Sequence, residues 1–120
     1  MTKRILIIDD DKDMLEMLAI ILQDSDYEVI LQNSGLSGIE ISKLHPDLVL
    51  LDVQIKGYQL TGNEICNQIK ALPSMEGIPV FLMSADHNLR ELAEECHAQG
   101  YFPKPFDVNN LKSSLKASFV

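Results

Sequence analysis

The feature that most constrains this chain is a set of short, unbroken apolar runs separated by segments of helical period. Ile5-Leu6-Ile7-Ile8, Leu48-Val49-Leu50-Leu51 and Ile78 to Met83 are too short for buried helices and rich in branched residues. A strand that is apolar on both faces must be covered on both, which implies a parallel sheet between helices. The intervening segments supply those helices. Asp11 to Gln23 puts Met14, Leu15, Leu18, Ile21 and Leu22 on one helical face. Leu36 to Leu44 reads as a second helix. Gly62 to Leu72 reads as a third, with Ile65, Cys66, Ile69 and Leu72 inward. Asn88 to Ala98 turns Leu89, Leu92, Ala93 and Cys96 inward, and Asp107 caps a last helix running to Phe119. Tyr27 to Gln32 alternates and reads as an edge strand, and Tyr101-Phe102 as a short fifth strand. The pattern is (βα)5, and right-handed crossovers wind it into a doubly wound sheet.

The 120 residues suit one domain, 1–120, large enough to fold without disulfides. Cys66 and Cys96 are far apart in sequence and read as reduced core thiols. The formal net charge of −8 argues against nucleic-acid binding by this chain alone and against docking on an anionic membrane. No apolar run approaches the roughly 20 residues of a membrane span. The run after Lys3-Arg4 is too short for a signal peptide and ends in Asp9-Asp10-Asp11, so a cytoplasmic location is expected.

In doubly wound sheets, ligands bind beyond the carboxyl ends of the strands. Four of the five predicted strands deliver a polar group there: Asp9-Asp10-Asp11, Asp52, Ser84 and Lys104. Carboxylates converging from adjacent strands repel, and each raises the other's pKa unless a cation intervenes. A hard divalent cation resolves that conflict, and magnesium favours one or two carboxylates, waters and phosphate oxygens. A carboxylate can also be a nucleophile that forms an aspartyl phosphate. Phosphoryl transfer needs positioning and charge neutralisation, which magnesium, Lys104 and the Ser84 hydroxyl are suited to supply.

The strings ILIIDDD, PDLVLLD, PVFLMSAD and YFPKPF, in this order and spacing, resemble the receiver domain of response regulators over essentially the whole chain. Each string is weak alone; the four in order are specific. The resemblance implies a flavodoxin-like fold with a five-stranded parallel sheet in the order 2-1-3-4-5. It implies that Asp52 accepts a phosphoryl group from a histidine kinase or histidine phosphotransfer protein. Asp9 and Asp10 correspond to the acidic pair that holds magnesium, Asp10 more directly, with Asp52 and the backbone carbonyl of Gln54 completing the protein ligands. Ser84 and Lys104 correspond to the catalytic hydroxyl and ammonium that engage the phosphoryl group. Tyr101 corresponds to the aromatic that turns inward on activation, and the Lys104-Pro105 bond to a cis peptide. Such a domain is a switch rather than a turnover enzyme on a separate substrate. Its output surface would be the helix after Ser84, the fifth strand and the last helix, where a downstream protein or a second copy of the chain is expected.

The segment after Asp52 departs from the family pattern. Where the family has x-x-Met-Pro-x-x-x-Gly, this chain has Val53 to Thr61 before Gly62, with Lys56 in the proline position and about two extra residues.

Plainer readings stand beside these. Asp11 suits a helix cap better than a ligand. Tyr101 on an edge strand also suits simple packing. Gln54 and Asp86, two residues beyond Asp52 and Ser84, either tune phosphoryl hydrolysis or, for Asp86, cap a helix. His45, His87 and His97 lack metal-ligand spacing and read as surface residues. A haloacid-dehalogenase-type phosphatase would need a second Asp in Asp52-Val53-Gln54-Ile55-Lys56. A flavodoxin-like cofactor binder would need a Ser/Thr/Gly-rich loop where the three aspartates stand. A degenerate scaffold would not need Asp10, Asp52 and Lys104 intact.

Overall fold

The computed structural model describes residues 2–23 and 26–119. Five strands alternate with five helices: β1 (Lys3–Ile8), α1 (Lys12–Leu22), β2 (Tyr27–Gln32), α2 (Gly38–Lys43), β3 (Leu48–Asp52), α3 (Gly62–Lys70), β4 (Val80–Ser84), α4 (Leu89–Glu95), β5 (Gly100–Pro103) and α5 (Val108–Ala117). The strands form one parallel sheet in the order β2-β1-β3-β4-β5. The alternating strand is therefore an edge, as its pattern predicts, and the strands from all three unbroken apolar runs lie inside the sheet.

Strand side chains alternate across the sheet, so each apolar run feeds two cores. Leu6, Ile8, Val49, Leu51, Val80 and Leu82 pack with Ile41, Ile65, Ile69 and Ala93, from α2, α3 and α4. Ile5, Ile7, Leu48, Leu50, Phe81 and Met83 pack with Leu15, Leu18, Leu22, Leu111 and Leu115, from α1 and α5. The free thiols Cys66 and Cys96 are buried in the first core, as expected.

Several boundaries are tighter than periodicity alone implies. Helix α2 starts at Gly38 because Ser37 caps it. The Ser37 hydroxyl accepts the Glu40 N–H (3.1 Å) while Glu40 accepts the Ser37 N–H (2.9 Å). Leu36 therefore precedes the helix and still packs on the core. Helix α4 ends at Glu95 because His97 takes a left-handed φ of 58° and turns the chain toward β5. A 3-10 turn at Pro73–Met75, which the sequence reading does not include, carries Met75 back into the first core. Asp11 caps α1 by accepting the Asp13 and Met14 N–H groups, and Asp107 caps α5 through the Asn110 N–H (3.1 Å).

Charged groups also close the amino ends of the strands. The Arg4 guanidinium donates to Glu28 Oε2 (2.5 Å) and to the Leu44 carbonyl (2.6 Å). The Arg4 amide donates to Asp47 Oδ2 (2.7 Å), and the Asp47 amide returns a bond to the Arg4 carbonyl (2.8 Å). One arginine thus ties β1 to β2 and to the approach to β3.

Candidate functional site

The carboxyl ends of β1, β3, β4 and β5 converge, and the groups they deliver are buried where strand-end residues are usually exposed. Asp9 is fully buried, and Asp52 and Ser84 nearly so. Asp9 follows β1 directly. Its Oδ1 accepts the Asp11 N–H (3.0 Å), and its Oδ2 accepts a hydrogen bond from Lys104 Nζ (2.9 Å). Asp52 is the last residue of β3, and its Oδ1 lies 3.3 Å from the same ammonium. Ser84 ends β4, and its hydroxyl accepts the Asp86 N–H (3.0 Å). The Lys104 amide donates to the Ser84 carbonyl (2.9 Å), which joins the ends of β4 and β5, and the Lys104-Pro105 bond is cis as expected.

Asp52 is held in place by a close backbone contact. A Cβ at Gly62 would lie 2.2 Å from the Asp52 carbonyl oxygen, so α3 can start against β3 only with glycine there. The Gly62 amide donates to the Val53 carbonyl (2.9 Å). In the sequence Gly62 marks the end of the loop and the start of the third helix; its contact with the Asp52 carbonyl is not legible there.

Burial, and then the negative charge of Asp9, push the Asp52 carboxyl up to about 7, against the pull of Lys104. Burial works to lower the Lys104 pKa, but its hydrogen bond to Asp9 and the charges of Asp52 and Asp9 outweigh that and hold it above its ordinary value. Two buried carboxylates therefore share one ammonium, with Asp10 close beside them. Asp9, Asp10 and Asp52 each offer an oxygen, all within 4.8 Å of one another, a cluster that could hold a metal ion. A hard cation fits this all-oxygen donor set, and it would supply the charge that Lys104 alone does not.

The structure brings Asp9, Asp10, Asp52 and Lys104 together, with Ser84 on the adjoining strand end. Gln54 is exposed just beyond Asp52, and Asp86 is exposed beyond Ser84. Asp86 does not cap α4, whose N-cap is Asn88; its amide bonds Ser84 instead. Tyr101 lies on β5 with 37% of its surface exposed. His45, His87 and His97 are exposed.

A doubly wound α/β domain with buried acids and a lysine at its strand ends is the class that fold and site define. The family model for the response regulator receiver domain matches residues 5–116. The chain belongs to that family, whose members receive signals in two-component systems. Sporulation initiation phosphotransferase F of Bacillus subtilis is 34% identical over 119 residues, covering 97% of this chain and 93% of that protein. The DNA-binding response regulator MtrA of Mycobacterium tuberculosis is 31% identical over 120 residues, and the chain spans about half of its length. Among solved structures, a putative response regulator from Chloroflexus aurantiacus superposes with a TM-score of 0.84 at 27% identity, covering 98% of each chain.

Proposed function

We propose that residues 1–120 form one receiver unit in which Asp52 is the phosphoacceptor. The observation that carries this reading is the Lys104 ammonium shared between Asp9 (2.9 Å) and Asp52 (3.3 Å). A lysine so placed can follow negative charge from the free carboxylate to a phosphoryl oxygen without leaving the site.

The donor is a phosphohistidine on a histidine kinase or histidine phosphotransfer protein. Asp52 Oδ attacks phosphorus as the P–N bond to the donor imidazole breaks, and the imidazole leaves with the bonding electrons. Asp52 must be ionised to attack, and Lys104 favours that form. Asp9, Asp10 and Asp52 would hold magnesium with the Gln54 carbonyl. When bound, magnesium neutralises the carboxylates and the charge developing on the phosphoryl oxygens. Ser84 is held by the Asp86 amide in the resting chain, and its hydroxyl is free to turn its hydrogen toward a phosphoryl oxygen. Movement of the Ser84 side chain toward that oxygen would vacate space beneath the loop between β4 and α4 that Tyr101 could enter. The two arrangements pre-exist, and the phosphoryl group shifts their balance. The altered surface comprises α4, β5 and α5, where a downstream protein or a second copy of the chain would dock. The domain acts in the cytoplasm and turns over no separate substrate.

The test is intact-mass measurement after incubation with acetyl phosphate and magnesium. One base-labile phosphoryl group is expected, absent from Asp52→Asn. Equal incorporation in that variant would assign the acceptor elsewhere.

A further inference from the structure

The segment between Asp52 and α3 is built as a braced structure. Val53 and Ile55 are buried, and Tyr58 and Leu60 pack against the first core, while Gln54, Lys56, Gly57 and Gln59 face out. An insertion that was merely tolerated would be polar and loosely held; this one buries alternating apolar anchors. The Ile55 carbonyl accepts the Tyr58 N–H (3.2 Å) across a turn that places Gly57 at a φ of 81°, a region open to glycine.

Tyr58 lies against a second glycine, across the site from its own segment. A Cβ at Gly35 would fall 2.2 Å from both Cγ and Cδ2 of the Tyr58 ring, so the ring occupies the space any other residue would need there. Gly35 belongs to the connection between β2 and α2. That connection is itself fixed, because the Gly38 amide donates to Gln68 Oε1 of α3 (2.8 Å). The Glu40 carboxylate of α2 also acts on the Tyr58 hydroxyl, adding to burial in raising its pKa. The contacts close a loop in space: Asp52 to Gly62, along α3 to Gln68, across to Gly38 and Gly35, and back through Tyr58 to the segment that starts at Asp52.

We infer that Tyr58, seated on Gly35, is a positioning residue that steadies the Val53–Thr61 segment, and with it the Gln54 carbonyl proposed above as a magnesium ligand. The inference rests on the phosphoacceptor reading above. The two ends of the segment are fixed by the bond between Val53 and Gly62; between them Ile55 and Leu60 reach the first core, and Tyr58 adds the contact to the connection between β2 and α2. Loss of the ring would loosen the turn closed by the Tyr58 N–H and the Ile55 carbonyl, directly after Gln54, while strand β3 and helix α3 stay in place.

The experiment compares wild type, Tyr58→Phe, Tyr58→Ala, Gly35→Ala and the double variant Tyr58→Ala/Gly35→Ala. Magnesium affinity and amide exchange are measured on unphosphorylated protein, and phosphoryl half-life after acetyl phosphate. Tyr58→Ala should weaken magnesium binding by about tenfold, the scale for losing a group that orients a ligand. It should also speed exchange at residues 54–59 and shorten phosphoryl half-life. Gly35→Ala, which displaces the ring without touching the segment, should do the same, and the double variant should be no worse than either single one. Tyr58→Phe should match wild type. Should Tyr58→Ala fold poorly, Tyr58→Leu keeps the apolar anchor without the flat ring and carries the same expectation. Wild-type protein that takes magnesium and a phosphoryl group, with Tyr58→Ala and Gly35→Ala indistinguishable from it, overturns this inference alone. Wild-type protein that takes neither overturns the proposed function and this inference together.

Discussion

The two ends of the sheet both gather charge, and they handle it in opposite ways. At the amino ends Arg4 meets Glu28, the Leu44 carbonyl and, through its amide, Asp47. These groups are partly or fully exposed, and opposite charges or backbone donors face each of them. At the carboxyl ends Asp9 and Asp52, both buried, share Lys104, with Asp10 beside them. The first arrangement closes the fold. The second is held by the fold against its own electrostatics, which is why the Asp52 carboxyl rises to about 7. The difference separates charge that serves stability from charge kept for binding and chemistry.

The largest expected effect follows from removing the cation that pairs with the buried acids. Lys104→Met should lower stability by about 3 kcal/mol in urea unfolding without magnesium, because Asp9 is left as a buried, uncompensated anion. A loss below about 1 kcal/mol would show that the two ends do not differ as described.

Magnesium should reverse the deficit. At one hundred times its dissociation constant it should stabilise the wild-type chain by about 2.7 kcal/mol, visible as a rise in melting temperature. Asp10→Ala should lose most of that gain, and without metal it should be at least as stable as wild type, having one carboxylate fewer. Equal magnesium responses in the two proteins would place the cation elsewhere.

The pH dependence of Asp52→Asn sharpens the comparison. A carboxyl whose folded pKa is raised destabilises the fold when ionised. That penalty is complete above about pH 7 and disappears below the unfolded value near pH 4. The stability advantage of Asp52→Asn, measured without magnesium, should therefore grow between those values, by at most about 4 kcal/mol, and then stay level. An advantage that shrank as pH rose would mean that Lys104 outweighs burial and Asp9.

The smallest effect belongs to the amino ends. Arg4→Ala should cost about 1 kcal/mol, with no response to magnesium and little to pH between 6 and 8. Glu28→Ala should cost less than about 0.5 kcal/mol, since its ion pair with Arg4 is largely exposed. Magnesium sensitivity at Arg4 would undo the contrast.

Much of this was legible in the sequence because it rests on local pattern. Unbroken runs such as Leu48 to Leu51 announced a sheet covered on both faces, and the alternation from Tyr27 announced its edge. The acids and lysine were legible because each sits at a strand end, and strand ends in a doubly wound sheet meet. Features set by contacts distant in sequence were not. The preference of Lys104 for Asp9 over Asp52 spans 95 residues. The seat of Tyr58 on Gly35 and the pressure of Gly62 on the Asp52 carbonyl depend on distances that no periodicity encodes. The 3-10 turn after Leu72 was hidden because three residues give no period to read.

The bond between Val53 and Gly62 has a consequence for how such a domain can diversify. It pins the two mouths of the segment 2.9 Å apart, whatever lies between them. Lengthening a pinned loop costs little, since each doubling adds only about 0.6 kcal/mol of closure entropy. Position 62, by contrast, is closed to every side chain. Variation is thus directed away from the frame and into loop length, where residues can be gained or lost after Asp52 without moving a strand. In kinetic terms, under the proposed role of Asp52, the lifetime of the switched state becomes a quantity that can drift over generations while the fold stays fixed.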